Sequence, residues 1–164
     1  MLEIEMRPVA DLVPYARNAR THPDEQIAQI AASIREFGWT NPVLIEPDGG
    51  IIAGHGRVMA ARKLNMAEVP CIALADLSDA KKRALVIADN KIPANAGWDV
   101  DLLDCEFAEL EEADFDIAVL GFSTDEMATI QADQNFAPAT EAEQTPLDRK
   151  KPVTCPACDH EFRV

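Results

Sequence analysis

The chain has 164 residues, 48% hydrophobic and only 5% aromatic, and its 15 Lys/Arg against 29 Asp/Glu give a net charge of −14. This length supports one compact core of about a hundred residues with appendages. No stretch approaches the roughly 20 apolar residues of a membrane span, and the acidic, briefly apolar start Met1-Leu2-Glu3-Ile4-Glu5 is unlike a secretory signal, so a cytoplasmic protein with no membrane partner is expected.

The charge is unevenly placed. Residues 1–92 hold 11 Lys/Arg and 12 Asp/Glu, whereas residues 93–164 hold 4 and 17. Between Gly97 and Asp133 there are 12 acidic residues and no basic one, a pattern of a solvated acidic helical face that a nucleic-acid backbone would repel. Of the four cysteines, Cys71 and Cys105 lie in apolar and helical runs, where buried thiols are expected, and Cys155 and Cys158 form a CxxC.

In chain order, residues 3–9 alternate as an edge strand and residues 11–15 turn away from it. Pro23 suits the first position of a helix, Asp24 and Glu25 favour its positive end, Ile27, Ile30, Ala31 and Ile34 recur on one face, and Gly38 suits its stop. Residues 42–46 and 51–53 read as partner strands around the turn Pro47-Asp48-Gly49-Gly50. Residues 57–64 fit a helix, 69–75 a strand, and Ser78 caps a helix whose periodic part is 81–89. From Trp98 onward, Leu102, Leu103, Phe107, Leu110, Met127 and Ile130 mark two acidic helices, and the Pro-containing, polar residues 135–152 read as a linker.

Gly54-His55-Gly56-Arg57 sits between the apolar strand and the helix that follows it. Glycines at such a turn let the backbone approach a ligand closely, the new helix offers unpaired N–H groups and a positive dipole end, and Arg57 adds a fixed charge. The combination suits a phosphate. The same residues also suit an ordinary turn, with Arg57 in an ion pair with Glu36 or Asp89 and His55 merely exposed. Trp39 and Trp98 read as packing residues.

The segment from Asn18 and Arg20, through the helix at 27–37 and Gly38-Trp39-Thr40-Asn41-Pro42-Val43-Leu44-Ile45, to Gly54-His55-Gly56-Arg57 with Ala60-Ala61 resembles the N-terminal domain of ParB partition proteins. The wider superfamily includes sulfiredoxin and free-serine kinases. The ParB form of the turn is G-E-R-R-x-x-A; the first glycine, the last arginine and a downstream alanine are kept, and His55 and Gly56 depart. Asp89-Asn90-Lys91 falls where ParB carries E-N-x-x-R, whose arginine is not cleanly matched. The resemblance implies CTP or ATP with Mg²⁺ held by Gly54, His55, Gly56, Arg57, Arg20, Asn41 and Asn90, with Asp89 in the catalytic place tied to hydrolysis. Asp89 is one methylene shorter than Glu, so hydrolysis stays open.

The continuation, with Gly97-Trp98-Asp99, Asp114-Phe115-Asp116 and Leu120-Gly121-Phe122, resembles ParB-like domains of phage and prophage proteins, often fused ahead of a DNA methyltransferase. The sequence shows no methyltransferase tetrad, and no helix-turn-helix is evident. Cys155-Pro156-Ala157-Cys158-Asp159-His160 resembles one knuckle of a zinc ribbon; Cys155, Cys158 and His160 would be metal ligands, and a second chain could complete the site in a homodimer.

The expectation is an α+β, ParB/sulfiredoxin-like domain over residues 1–95 with a small mixed sheet and packed helices. An acidic helical extension (96–133), a flexible linker (134–152) and a zinc-knuckle-like tail (153–164) follow. The expected function is nucleoside triphosphate binding accessory to phage or plasmid DNA metabolism, with a link to DNA that is expected to be indirect or through a partner protein, direct binding staying open. A non-catalytic adaptor of a DNA methyltransferase system, a metal-dependent nuclease and a phosphotransferase acting on a small hydroxyl compound are the alternatives.

Overall fold

The computed structural model describes residues 2–131 and the backbone of two short strands, residues 152–154 and 161–163. A four-stranded mixed sheet of β1 (Glu5–Pro8), β2 (Val43–Ile45), β3 (Ile51–Ala53) and β4 (Glu68–Ala73) has the order β1-β4-β2-β3. β1 runs antiparallel to β4, β4 parallel to β2, and β2 antiparallel to β3 with a register shift at Leu44/Ile45. The first strand is shorter than residues 3–9, because Pro8 ends the ladder and Val9–Asp11 winds into a 3-10 turn.

α1 (Asp24–Phe37) starts one residue after Pro23, which serves as its N-cap, and stops at Gly38, whose φ of 76° only glycine adopts freely. Its predicted stripe is its buried face: Ile27 and Ala31 are buried against Ala60 of α2 (His55–Lys63), with Ile30 and Ile34 partly covered. The main core lies around the sheet, where Val43, Ile45, Val69 and Cys71 are fully buried beside Leu12, Ile51, Val58 and Ala61. All three residues of β3 are buried, since α3 (Asp79–Lys91) packs against that strand.

The C-terminal half of the described body is helical, as its periodicity predicts. Asp99 caps α4 (Val100–Glu112) by accepting from Leu102 N–H, a 3-10 turn spans Ile117–Leu120, and α5 (Thr124–Gln131) follows. Phe107 is 1% exposed and meets Phe122 edge-on at 5.3 Å between ring centroids. Trp98 lies 5.5 Å from Phe122 yet remains 70% exposed, so it packs on one side only. Gln29 Nε2 donates to the Gly121 carbonyl at 3.2 Å, and Phe37 stacks on Phe115 at 5.9 Å, which joins this unit to α1.

β5 (Pro152–Thr154) and β6 (Glu161–Arg163) pair antiparallel. Pro152, expected in the linker, is therefore in a strand. The proposed zinc ligands Cys155, Cys158 and His160, and the linker up to residue 151, lie outside the described residues. No described helix is long and apolar enough to cross a membrane.

Candidate functional site

The apolar strand β3 delivers the chain to Gly54, which has φ 97° and forms the N-cap of α2 without any side-chain cap. The helix therefore begins at His55, two residues earlier than its periodicity indicates. The first N–H groups of a helix have no intrahelical acceptor, and here they open at a glycine turn with the positive end of the helix dipole behind them. A Cβ at Gly54 would stand 3.0 Å from Arg57 Nη2, and one at Gly56 would stand 3.0 Å from Ile30 Cδ1 and 3.2 Å from the His22 ring. Both glycines thus let neighbouring groups close onto the turn.

Arg57 folds back over Gly54. Its Nη2 donates to the Pro42 carbonyl at 3.3 Å, while its Nε is buried with no hydrogen-bond partner. Burial lowers the guanidinium pKa, and the nearby Asp89 charge opposes that shift. No ion pair joins Arg57 to Asp89 or Glu36 among the described residues. A charged group that lacks a partner for a buried N–H is unusual in a settled structure.

Six of the eight expected nucleotide-site residues, Gly54, His55, Gly56, Arg57, Asp89 and Asn90, line one cleft of about 130 Å³ together with His22 and Ile30. Asn90 is inside α3, not at its cap: its Nδ2 donates to the Val86 carbonyl one turn back at 2.8 Å. Asn90 also borders a groove of about 370 Å³ where Arg20 lies, together with Arg17, Arg83 and Lys91. Asn41 lies on the other flank, in a hollow of about 440 Å³ that Arg57 shares with Trp39 and Gly121. Arg20 and Asn41 thus lie outside the central cleft, in hollows that border it.

His55 is neither exposed nor free. It is 8% exposed, and its Nε2 accepts from the Tyr15 backbone N–H at 3.2 Å. Burial and the nearby His22 hold its pKa below the usual 6.5. Sequence reasoning missed His22, which reaches the cleft from the entry to α1 while its Nδ1 contacts Gln26 Oε1 at 2.9 Å. It also missed Arg17 and Arg83. No motif marks these three; Arg17 and Arg83 meet in one groove only because the loop at residues 15–20 lies against α3, and His22 lines the neighbouring cleft.

Chemically, the arrangement offers backbone donors, one half-buried guanidinium whose buried Nε–H is unused, and a carboxylate beside a carboxamide. Among the described residues no three His, Cys, Asp or Glu side chains converge on a metal position. A cation here would therefore need oxygens from a ligand as well as from Asp89 and Asn90, as Mg²⁺ does when it bridges protein to phosphate.

The family model described as the ParB N-terminal domain matches residues 2–91, and that of the ParB-methyltransferase HTH domain matches residues 101–156. The second match corrects the sequence reading, which found no helix-turn-helix in this region. The ParB-like nuclease domain-containing protein YnaK of Escherichia coli is 60% identical over 82 residues, 50% of this chain and 94% of the relative. The nucleoid occlusion protein of Geobacillus thermodenitrificans is 36% identical over 93 residues, 54% of this chain and 33% of the relative. The chromosome-partitioning protein Spo0J of Thermus thermophilus is 33% identical over 87 residues, 51% and 32% of the two chains. The chain thus spans about a third of these two relatives. The C-terminally truncated chromosome-partitioning protein ParB of Caulobacter crescentus, complexed with CTP-gamma-S, shares the fold at a TM-score of 0.65 and 23% identity, over 79% of this chain and 77% of that one. Sheet, helices and both stretches of sequence agree: this chain belongs to the ParB N-terminal domain family.

Proposed function

We propose that the chain binds a nucleoside triphosphate, CTP or ATP with Mg²⁺, at the Gly54–Arg57 turn, as an accessory factor of phage or plasmid DNA metabolism. The observation that carries this reading is the buried, unpartnered Arg57 Nε above an uncapped helix start. A phosphate oxygen would accept from that N–H and from the first-turn amides, which satisfies both at once. The cleft at the turn, at about 130 Å³, is smaller than the hollows beside it and would take the phosphates. The flanking hollow beside Trp39 and Asn41 would take the nucleoside, and Arg20 would reach the phosphates from the groove it lines with Asn90. Asp89 and Asn90 would hold Mg²⁺ jointly with phosphate oxygens; the ion would neutralise the phosphate charge. That the solved ParB relative is complexed with CTP-gamma-S supports CTP as the first ligand to try.

Calorimetric titration with CTP, ATP and GTP in Mg²⁺ tests this, with Arg57→Ala alongside. Saturable binding of one nucleotide, lost in the variant, is the expected result; no binding of any of them overturns it. Phosphate release and metal-dependent cleavage of DNA, each with Asp89→Ala as control, then separate a hydrolase from a nuclease, the activity that the name of the Escherichia coli relative carries.

A second reading, a non-catalytic adaptor of a DNA methyltransferase system, is favoured by the match of residues 101–156 to the ParB-methyltransferase HTH domain. It requires a protein partner and no turnover.

A further inference from the structure

The loop that carries Arg17 and Arg20 has few attachments. Val13 is fixed to the body, since its N–H donates to Gly49 and its carbonyl accepts from Ile51 N–H. Beyond it, the loop mostly bonds to itself: Asn18 N–H donates to the Tyr15 carbonyl at 3.0 Å, and Arg20 N–H to Asn18 Oδ1 at 3.1 Å. Among the described residues, one hydrogen bond ties residues 15–21 to the rest of the chain, from Tyr15 N–H to His55 Nε2 at 3.2 Å across 40 residues of sequence. Neither arginine forms an ion pair among the described residues, so no charge contact fixes the loop instead.

We propose that His55 is a positioning residue for the anion site. Its ring, carrying its proton on Nδ1 and accepting at Nε2, pins the loop at Tyr15 and thereby sets where Arg20 stands relative to the turn and to Asn90. An imidazole nitrogen accepts only when it carries no proton, so one tautomer of the neutral ring makes this bond and the other, like the imidazolium, breaks it. The residue after Gly54 thus acts through the loop, while Arg57 and the helix amides face the ligand. The consequence for affinity rests on the nucleotide reading; the pinning itself does not.

Nitrogen-15 NMR of the full chain tests the pinning without any ligand. The wild-type ring is expected in the Nδ1–H tautomer, with the Tyr15 amide protected from exchange. His55→Gln, whose Oε1 can take the place of Nε2, should keep that protection to within about twofold, and His55→Ala should lower it about tenfold. An Nε2–H tautomer in the wild type, or unchanged Tyr15 protection in His55→Ala, overturns the proposal; the tautomer is read on the wild type and stands even where a variant folds poorly. With Mg²⁺ and CTP, Arg20→Ala should weaken binding in the wild-type background and have little further effect in His55→Ala, whereas equal losses in both backgrounds would overturn the positioning role. Failure of every nucleotide to bind defeats the nucleotide reading alone, because the tautomer and the Tyr15 amide report on His55 independently.

Discussion

Arg57 and Asp89 share a cleft without forming an ion pair. The carboxylate is close enough to support the guanidinium charge, but the buried Nε is left for something else. Hydrogen bonds from a charged donor contribute about 1.5–3 kcal/mol, so Arg57→Ala should weaken nucleotide binding roughly 10- to 150-fold. Arg57→Lys should recover only part, because an ammonium keeps the charge and loses the forked geometry. Calorimetry on the three proteins checks this. Thermal midpoints should differ little, since the substitution also removes an unsatisfied buried donor.

Gly54 is where the turn is most sensitive to a single methyl group. Its φ of 97° is unfavourable for any L side chain, and a Cβ would meet Arg57 Nη2 at 3.0 Å. Gly54→Ala should therefore cost about 1–3 kcal/mol of stability through backbone strain and displace the guanidinium. In an Arg57→Ala background the displacement vanishes and the strain remains, so most of the stability loss should persist. Urea midpoints of the four proteins of this cycle separate the two effects.

Much of this was legible beforehand, and what was not has a common cause. The α1 stripe, the β2–β3 hairpin and the Gly54 turn each depend on residues close in sequence, where periodicity and backbone preference act directly. The pairing of His55 with Tyr15 depends on a loop crossing from 40 residues away, and His22 reaches the turn the same way. Asn90 is held inside α3, its side chain bonded one turn back to Val86, because the helix continues to Lys91. The helix-turn-helix match over 101–156 escaped notice because residues 101–133 hold none of the Lys and Arg that usually announce a DNA reader, and the three basic residues of the stretch, Arg149, Lys150 and Lys151, fall in what reads as a linker.

The His55 environment gives stability a defined pH dependence. Three groups line its cleft: His22 from the entry to α1, Arg57 from its own helix and Asp89 from α3. Burial, reinforced by His22, places the folded-state pKa below 6.5. Between those two values the unfolded chain binds a proton that the folded chain does not, so stability rises with pH across that window. It is lost as pH falls below 6.5 towards the folded value, and below that this contribution is constant. Urea denaturation from about pH 8 to about pH 5 should show this decline, and His55→Gln should flatten it. An unchanged profile in the variant would assign the decline to other groups.

The C-terminal unit carries the last prediction. A helix-turn-helix holds DNA largely through Lys and Arg on phosphates, a contribution that supplies essentially all non-specific affinity. Here residues 97–133 hold 12 acidic side chains and no basic one, while α4 and α5 sit within the matched stretch. The sequence of this stretch matches a DNA-reader family model, but the acidic charge carried by α4 and α5 would repel the duplex. The chain alone should bind duplex DNA more weakly than about 10⁻⁴ M at ~150 mM salt, as measured by fluorescence anisotropy. Lowering the salt should help little, because few counterions are released when few cations meet phosphates. Tight, steeply salt-dependent binding would instead place DNA on basic residues elsewhere, such as Arg17, Arg20, Arg83 and Lys91 beside the nucleotide cleft. That result would make the cleft and the DNA face neighbours and revive the nuclease reading, whereas weak binding leaves the acidic helices free for a basic protein partner, as the adaptor reading requires.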